Sequence, residues 1–191
     1  MTDFACTTTY FGEPGEANTD RTLEIARQRA EELDIRTILV ASTQGTTGAK
    51  AAQLFADREV VVVTHSTGLK KPNFQELREE NRAQIKAAGA TILTCQHALG
   101  GVNRAIRRKL GTYEVDEIIA YTLRTFGQGM KVCVEIALMA ADAGLLRVDE
   151  PCIAIAGTGR GADTAVVLTP AIAQDFFDLK IHEILCKPRL A

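Results

Sequence analysis

The sequence has no tryptophan, only five prolines, and aromatic side chains at 5% of its 191 residues. With so few prolines and no low-complexity tract, nothing reads as a linker, and no motif recurs at the roughly 20 to 50 residue period of a repeat array. A single domain over 1–191 is expected, since cores of about this size do not divide. An excess of charge of either sign is missing too. Lys and Arg number 22 against 24 Asp and Glu, a formal charge of −2, which supplies no field for gathering nucleic acid or an anionic membrane surface. Long apolar runs are also missing. The segment 132–146 carries Glu135 and Asp142 and falls short of the about 20 apolar residues that span a bilayer, so it reads as a buried helix. Residues 1–11 are polar and Thr-rich, without the basic start and apolar stretch of a secretory signal. The five cysteines, Cys6, Cys95, Cys133, Cys152 and Cys186, form no C-x-x-C pair and suit reduced thiols in the cytoplasm.

What is present is alternation. Hydrophobic residues reach 46%, enough for a sizeable core. Two continuous apolar runs, Thr37–Ala41 (TILVA) and 60–64 (VVVVT), read as central parallel strands covered on both faces. Thr91–Thr94, Cys152–Ala156 and 164–168 read the same way, and 181–187 (IHEILCK) alternates like a strand with one wet face, expected at a sheet edge where a second copy of the chain could pair. Between them lie helical periods over 19–33, 47–56, 74–87, Val102–Leu110, 115–125 and 130–143, the last closed by Gly144. Strands alternating with helices imply right-handed crossovers and a three-layer α/β/α sandwich. Only a glycine-rich connection joins 156 to 164, too short for a crossover, so those two strands run antiparallel and the sheet is mixed.

Ligands of open α/β sheets sit beyond the carboxyl ends of the strands, so the residues following each strand carry the functional reading. After the first comes Ser42-Thr43-Gln44-Gly45-Thr46-Thr47, leading into a helix, where free N–H groups and the macrodipole favour a phosphate. Gly48-Ala49-Lys50 lacks the Walker A order and argues against an ATPase. The second strand ends at Thr64 and His65, and the third is followed by Cys95 and His97, imidazoles able to bind an anion or move protons. With Cys95 they match no zinc spacing and lack a fourth ligand, so no metal is expected. The fourth strand runs into Gly157-Thr158-Gly159-Arg160-Gly161-Ala162-Asp163-Thr164. Its G-x-G-x-G start opens a strand, not a helix, which removes a dinucleotide fingerprint and leaves an anion nest with Arg160 as counter-charge. A further helix begins near Phe126, Gln128 and Lys131, which suit a planar ring and its heteroatoms. Glu135 is expected to pair with Lys131 one turn earlier. Common hydrolase signatures are absent.

The Thr37-to-Thr47 run, the helix after it and the VVVVT strand resemble the start of the regulatory C-terminal domain of pyruvate kinase. There the Ser/Thr-rich turn holds a phosphate of a sugar bisphosphate and a glycine-rich hairpin closes over it. Over nearly the whole chain, the resemblance is closer to stand-alone proteins related to that domain, the pyruvate kinase alpha/beta domain proteins. Tyr10-Phe11 with Pro14-Gly15 and Asn18-Thr19, the run from Gln128 to Glu135, and the run from Gly157 to Ala165 carry it. The resemblance implies a sheet of order 3-2-1-4-5 with strand 5 antiparallel, and FMN as ligand. It implies no pyruvate kinase activity, because that enzyme's chemistry resides in a separate β/α barrel. The hairpin here holds Arg160 but no tryptophan, a departure from sugar bisphosphate recognition.

The leading expectation is therefore an FMN-binding cytoplasmic protein. Its phosphate would lie on Ser42, Thr43, Gly45, Thr46 and Thr47 or on the 157–164 hairpin, with the ring near His65, His97 or Phe126. The alternative is a non-catalytic sensor of a phosphorylated metabolite. Neither nucleic acid nor membrane is expected as a partner.

Overall fold

In the computed structural model, which describes residue 3 and residues 5–189, the strands are β1 (Thr9–Phe11), β2 (Thr37–Ala41), β3 (Glu59–Thr64), β4 (Thr91–Thr94), β5 (Cys152–Ala156), β6 (Thr164–Thr169) and β7 (Lys180–Pro188). The helices are α1 (Thr19–Glu32), α2 (Thr46–Leu54), α3 (Glu79–Ala87), α4 (Val102–Leu110), α5 (Val115–Arg124) and α6 (Gln128–Asp142), with short 3-10 turns at Glu16–Asn18 and Ala173–Asp178. Met1, Thr2 and Phe4, within the stretch read as lacking a signal, lie outside the described residues.

The architecture follows from period-two burial on strands that have no wet face. Ile38 and Val40 of β2 face α1, α2 and α3 together with Val60 and Val62. Leu39, Val61 and Val63 face the opposite way, against Met130, Ile136 and Ala137 of α6. Each such side chain contributes about 1.5–3 kcal/mol when buried, which is why these strands read as unbroken apolar runs. The result is a three-layer α/β/α sandwich. Among the described residues, no helix is long and apolar enough to cross a membrane.

The sheet order is β1-β7-β6-β5-β2-β3-β4. The expected five-strand order appears within it as β4-β3-β2-β5-β6, with β6 antiparallel to β5. Two strands extend that core. β7 pairs antiparallel with β6 and parallel with β1 (Thr9↔Cys186), so it is interior and not the expected edge. β1 is three residues long and lies in a Thr-rich stretch with too little apolar pattern to reveal it. Thr8 Oγ1 donates to the Ile184 carbonyl at 2.8 Å and helps hold it in place. On β7, Glu183 takes two hydrogen bonds from Arg29 of α1, at 2.8 and 2.6 Å, which accounts for a polar residue on a covered strand.

A second correction concerns the helix expected over 74–87, which begins only at Glu79. The Gln75 side chain accepts from Leu77 N–H at 3.0 Å and donates to the His65 carbonyl at 3.0 Å. Such side-chain bonds offer the backbone an alternative to the helix. The irregular segment 74–78 instead brings Glu76 to His65 at the end of β3.

Candidate functional site

The chain leaves β2 for β3 and β4 on one side and returns to β5 on the other, and this reversal opens a crevice at the carboxyl ends of the strands. A cleft of about 520 Å³ lies there. Ser42, Thr43, Thr46, Thr47, Thr64, His65, His97, Gln128, Lys131, Gly157, Gly159, Arg160 and Gly161 all line it, so the turn after β2, the two histidines, the start of α6 and the hairpin after β5 converge as the strand ends suggested.

The turn after β2 is built to leave donors free. Ser42 Oγ accepts from Gly48 N–H at 3.0 Å and so caps the third residue of α2. The N–H groups of Thr46 and Thr47, in the same first turn, have no partner among the described residues. Those of Gln128, Gly129 and Met130, at the start of α6, are likewise unpaired among the described residues. Two helix N-termini with open donors thus border one cleft. Gly129 permits a close approach to β6, because a Cβ there would lie 2.1 Å from Thr164 Oγ1.

The remaining expected residues have different work. Asp163, fully buried, accepts from Gly15 N–H at 2.8 Å, Thr158 N–H at 3.0 Å and Thr164 Oγ1 at 2.8 Å. Ala162 N–H donates to Thr19 Oγ1 at 3.0 Å, and Thr22 Oγ1 donates to the Ala162 carbonyl at 3.3 Å. Ala162 therefore fastens the hairpin to α1, Asp163 ties it to Gly15 and binds Thr158 and Thr164 within it, and none of the four lines the cleft. Gly45 packs beneath Leu77 and Asn81. Phe126 is 52% exposed and stands outside the lining.

Two titratable clusters face the space. In the first, His65 Nδ1 is 2.9 Å from Glu76 Oε2 while its Nε2 is 3.3 Å from Thr43 Oγ1. A carboxylate, an imidazole and a hydroxyl in line orient the ring and give it a proton partner on the cleft side. In the second, Glu135 accepts from Lys131 Nζ and from Leu99 N–H at 3.1 Å, and its carboxylate is 3.8 Å from His97 Nδ1. The expected Lys131–Glu135 pair is present. Burial pushes the Lys131 ammonium below its ordinary value, against the pull of Glu135. His97 is lowered too, first by burial and then by the charges of His65, Lys131 and Arg104, with Glu135 acting the other way. The two imidazoles lie 5.3 Å apart. Shifted groups gathered in a cleft make it the candidate site.

Glu16, Glu76, Lys70, Arg104 and Arg124 also line the cleft. Their sequence neighbours are ordinary polar surface, and only the fold brings them in. The cysteines lie elsewhere. Burial pushes Cys152 up to about 12 and Cys186 up to about 11, so neither is a nucleophile at neutral pH. Among the described residues, no three His, Cys, Asp or Glu side chains are grouped to hold a metal ion.

The model of the family described as pyruvate kinase, alpha/beta domain, matches residues 20–168. The chain belongs to the pyruvate kinase alpha/beta domain family. The family match runs from α1 into β6 and so takes in every loop that borders the cleft except the turn holding Glu16. β1 and β7 lie outside it. Among solved structures, O-ureido-L-serine synthase is similar at 18% identity over 70% of this chain and 49% of that one, with a TM-score of 0.31. An O-ureido-L-serine-bound mutant of that synthase gives 19%, 68%, 48% and 0.32. The chain spans about half the length of these two structures.

Proposed function

We propose that this chain binds FMN in the cleft at the ends of β2, β3 and β5. The observation that carries the reading is the pair of unpaired N–H groups at Thr46 and Thr47, set among the hydroxyls of Thr43, Thr46 and Thr47. Open donors at a helix start suit a phosphate monoester, and they leave Ser42 to its capping role. Arg160, on the exposed hairpin, supplies a counter-charge from the far side. The volume falls within the about 300–1,000 Å³ range of cofactor pockets. Val63, Leu69, Val132, Ile136 and Met139 give the cleft an apolar stretch for a planar ring, with Gln128 and Lys131 as hydrogen-bond donors beside it.

When bound, a flavin supplies hydride or electron transfer, and the protein supplies position and electrostatics. Here the chain's own part is to hold phosphate at α2, disfavour the charged form of His97 by burial, and present Lys131 from a floor shielded from water. The reading assigns no pyruvate kinase activity to this α/β unit. Free thiols, three of them buried, support a cytoplasmic setting.

The test is the near-UV and visible absorption spectrum of freshly purified protein, followed by identification of what denaturation releases. A flavin spectrum supports the proposal. A colourless protein that added FMN does not stabilise against heat overturns it. That result leaves the second reading, a phosphorylated metabolite sensed without turnover, which the surplus of Lys70, Arg104, Arg124, Lys131 and Arg160 over Glu16, Glu76 and Glu135 favours.

A further inference from the structure

A second cavity, of about 420 Å³, adjoins the first, and Leu69, His97 and Arg104 line both. Its composition is one-sided. Arg104, Arg108 and Lys109 of α4 line it together with Ser66, Gln96 and His97, and among the described residues no Asp or Glu does. Helix α4 carries one further arginine, Arg107, and that one is neutralised by Glu117 at 3.1 Å. Among the described residues, Arg104, Arg108 and Lys109 have neither a hydrogen bond nor an ion pair.

The helix dipole explains only part of this. Arg108 and Lys109 sit in the last turn, where cations are favourable. Arg104 sits in the first turn, where a cation is disfavoured. It is also half-buried, without a partner, and α4 buries no residue whose packing would hold it there. Arg104 and Arg108 are one turn apart and so project along one face, with side chains about 5–6 Å apart at Cβ. With Lys109 they bring three unpaired positive charges to one cavity, more than a single small anion offsets.

We propose that this second cavity binds a small polyanion bearing two or more phosphate or carboxylate groups, held by Arg104, Arg108 and Lys109 beside His97. The assignment is independent of which ligand occupies the first cleft. Because Arg104 and His97 belong to both cavities, a polyanion here sits next to whatever the first cleft holds. It also cancels one of the charges that keep His97 low, so its arrival is visible at that imidazole.

The test uses pyrophosphate, citrate and inorganic phosphate as probes at constant ionic strength, with calorimetry and the His97 imidazole resonance as readouts. Saturable binding of pyrophosphate or citrate, with the His97 titration moving to higher pH, is the expected result. Preference for pyrophosphate assigns phosphate chemistry and preference for citrate assigns carboxylates. The double variant Arg108→Ala, Lys109→Ala should weaken polyanion binding by about tenfold or more. It should lower the melting temperature only slightly, through the loss of two last-turn cations, and leave the response to FMN unchanged, since neither residue lines the first cleft and both are exposed. Absence of saturable binding by either polyanion, or equal affinity in the double variant, overturns the proposal whatever the outcome with FMN.

Discussion

Lys131 donates to Glu135 one helical turn on, and both side chains are only 4% exposed beneath the cleft. Glu135 also receives Leu99 N–H and stands 3.8 Å from His97. One buried carboxylate thus fixes a lysine, a loop backbone and an imidazole. Glu135→Gln should leave the Lys131 ammonium buried without its counter-charge. A loss of about 3–5 kcal/mol is expected, read by urea unfolding. Adding Lys131→Met removes the stranded charge and should recover most of the loss. A single variant within experimental error of the parent would show that the pair holds nothing together.

The lowered His97 gives a pH dependence with a definite sign. Its folded value lies below the ordinary His value of about 6.5, because burial, His65, Lys131 and Arg104 together outweigh Glu135. Between those two values the unfolded chain binds more protons than the folded one, so stability rises with pH through that window. It should therefore be complete above about pH 6.5, decline as pH falls, and level off below the folded value. Melting temperatures of the parent and of His97→Gln across this range should converge at low pH and part near neutrality. Parallel curves would place the titration on another group.

Thr46→Glu separates ligand binding from folding. A carboxylate in the first turn of α2 is favourable to the helix dipole by about 0.3–1 kcal/mol, so the melting temperature should hold or rise. The same charge repels a phosphate at the unpaired N–H groups of Thr46 and Thr47. FMN affinity, measured by fluorescence quenching, should fall about a hundredfold or more. Unchanged affinity in a well-folded variant moves the phosphate to the hairpin beside Arg160.

The residues that could be read from sequence are those lying next to a strand in the chain. Ser42 through Thr47, His65, His97 and the hairpin glycines each follow an apolar run directly, so the position of the strand end located them. Glu76 was hidden because 74–87 has helical periodicity, and the deciding signal was the Gln75 side chain bonding to Leu77 N–H and the His65 carbonyl. Arg104 and Arg124 sit on helices whose polar pattern looks like ordinary solvated surface. β1 was hidden because three residues with one alternation carry almost no signal, and its pairing with β7 joins the two ends of the chain. Asp163 and Thr164 stand beside the cleft without lining it. Sequence shows a carboxylate and a hydroxyl in a glycine-rich turn, and only the fold shows that Gly15 N–H, Thr158 N–H and the Thr164 hydroxyl itself all donate to the Asp163 carboxylate.

That fastening leads to the last prediction, which concerns two glycines of one hairpin. Gly159 and Gly161 both have positive φ, 76° and 71°. Beyond its backbone conformation, Gly159 has nothing within 4 Å of a built Cβ, whereas a Cβ on Gly161 would meet Thr19 Oγ1 at 2.4 Å and Glu16 Cα at 2.5 Å. Gly159→Ala should cost only the left-handed penalty, about 1–2 kcal/mol. Gly161→Ala carries that penalty and must also lift the hairpin from the turn at Glu16, straining the Ala162 N–H bond to Thr19 Oγ1. An added loss of about 1–3 kcal/mol follows from the overpacking. Because Glu16, Gly159, Arg160 and Gly161 all border the cleft, the second variant should also weaken ligand binding more than the first. Denaturant melts of the two, side by side, check the ordering. Equal losses would mean that the hairpin is not clamped to the first turn of α1, and that Arg160 closes over the cleft without that support.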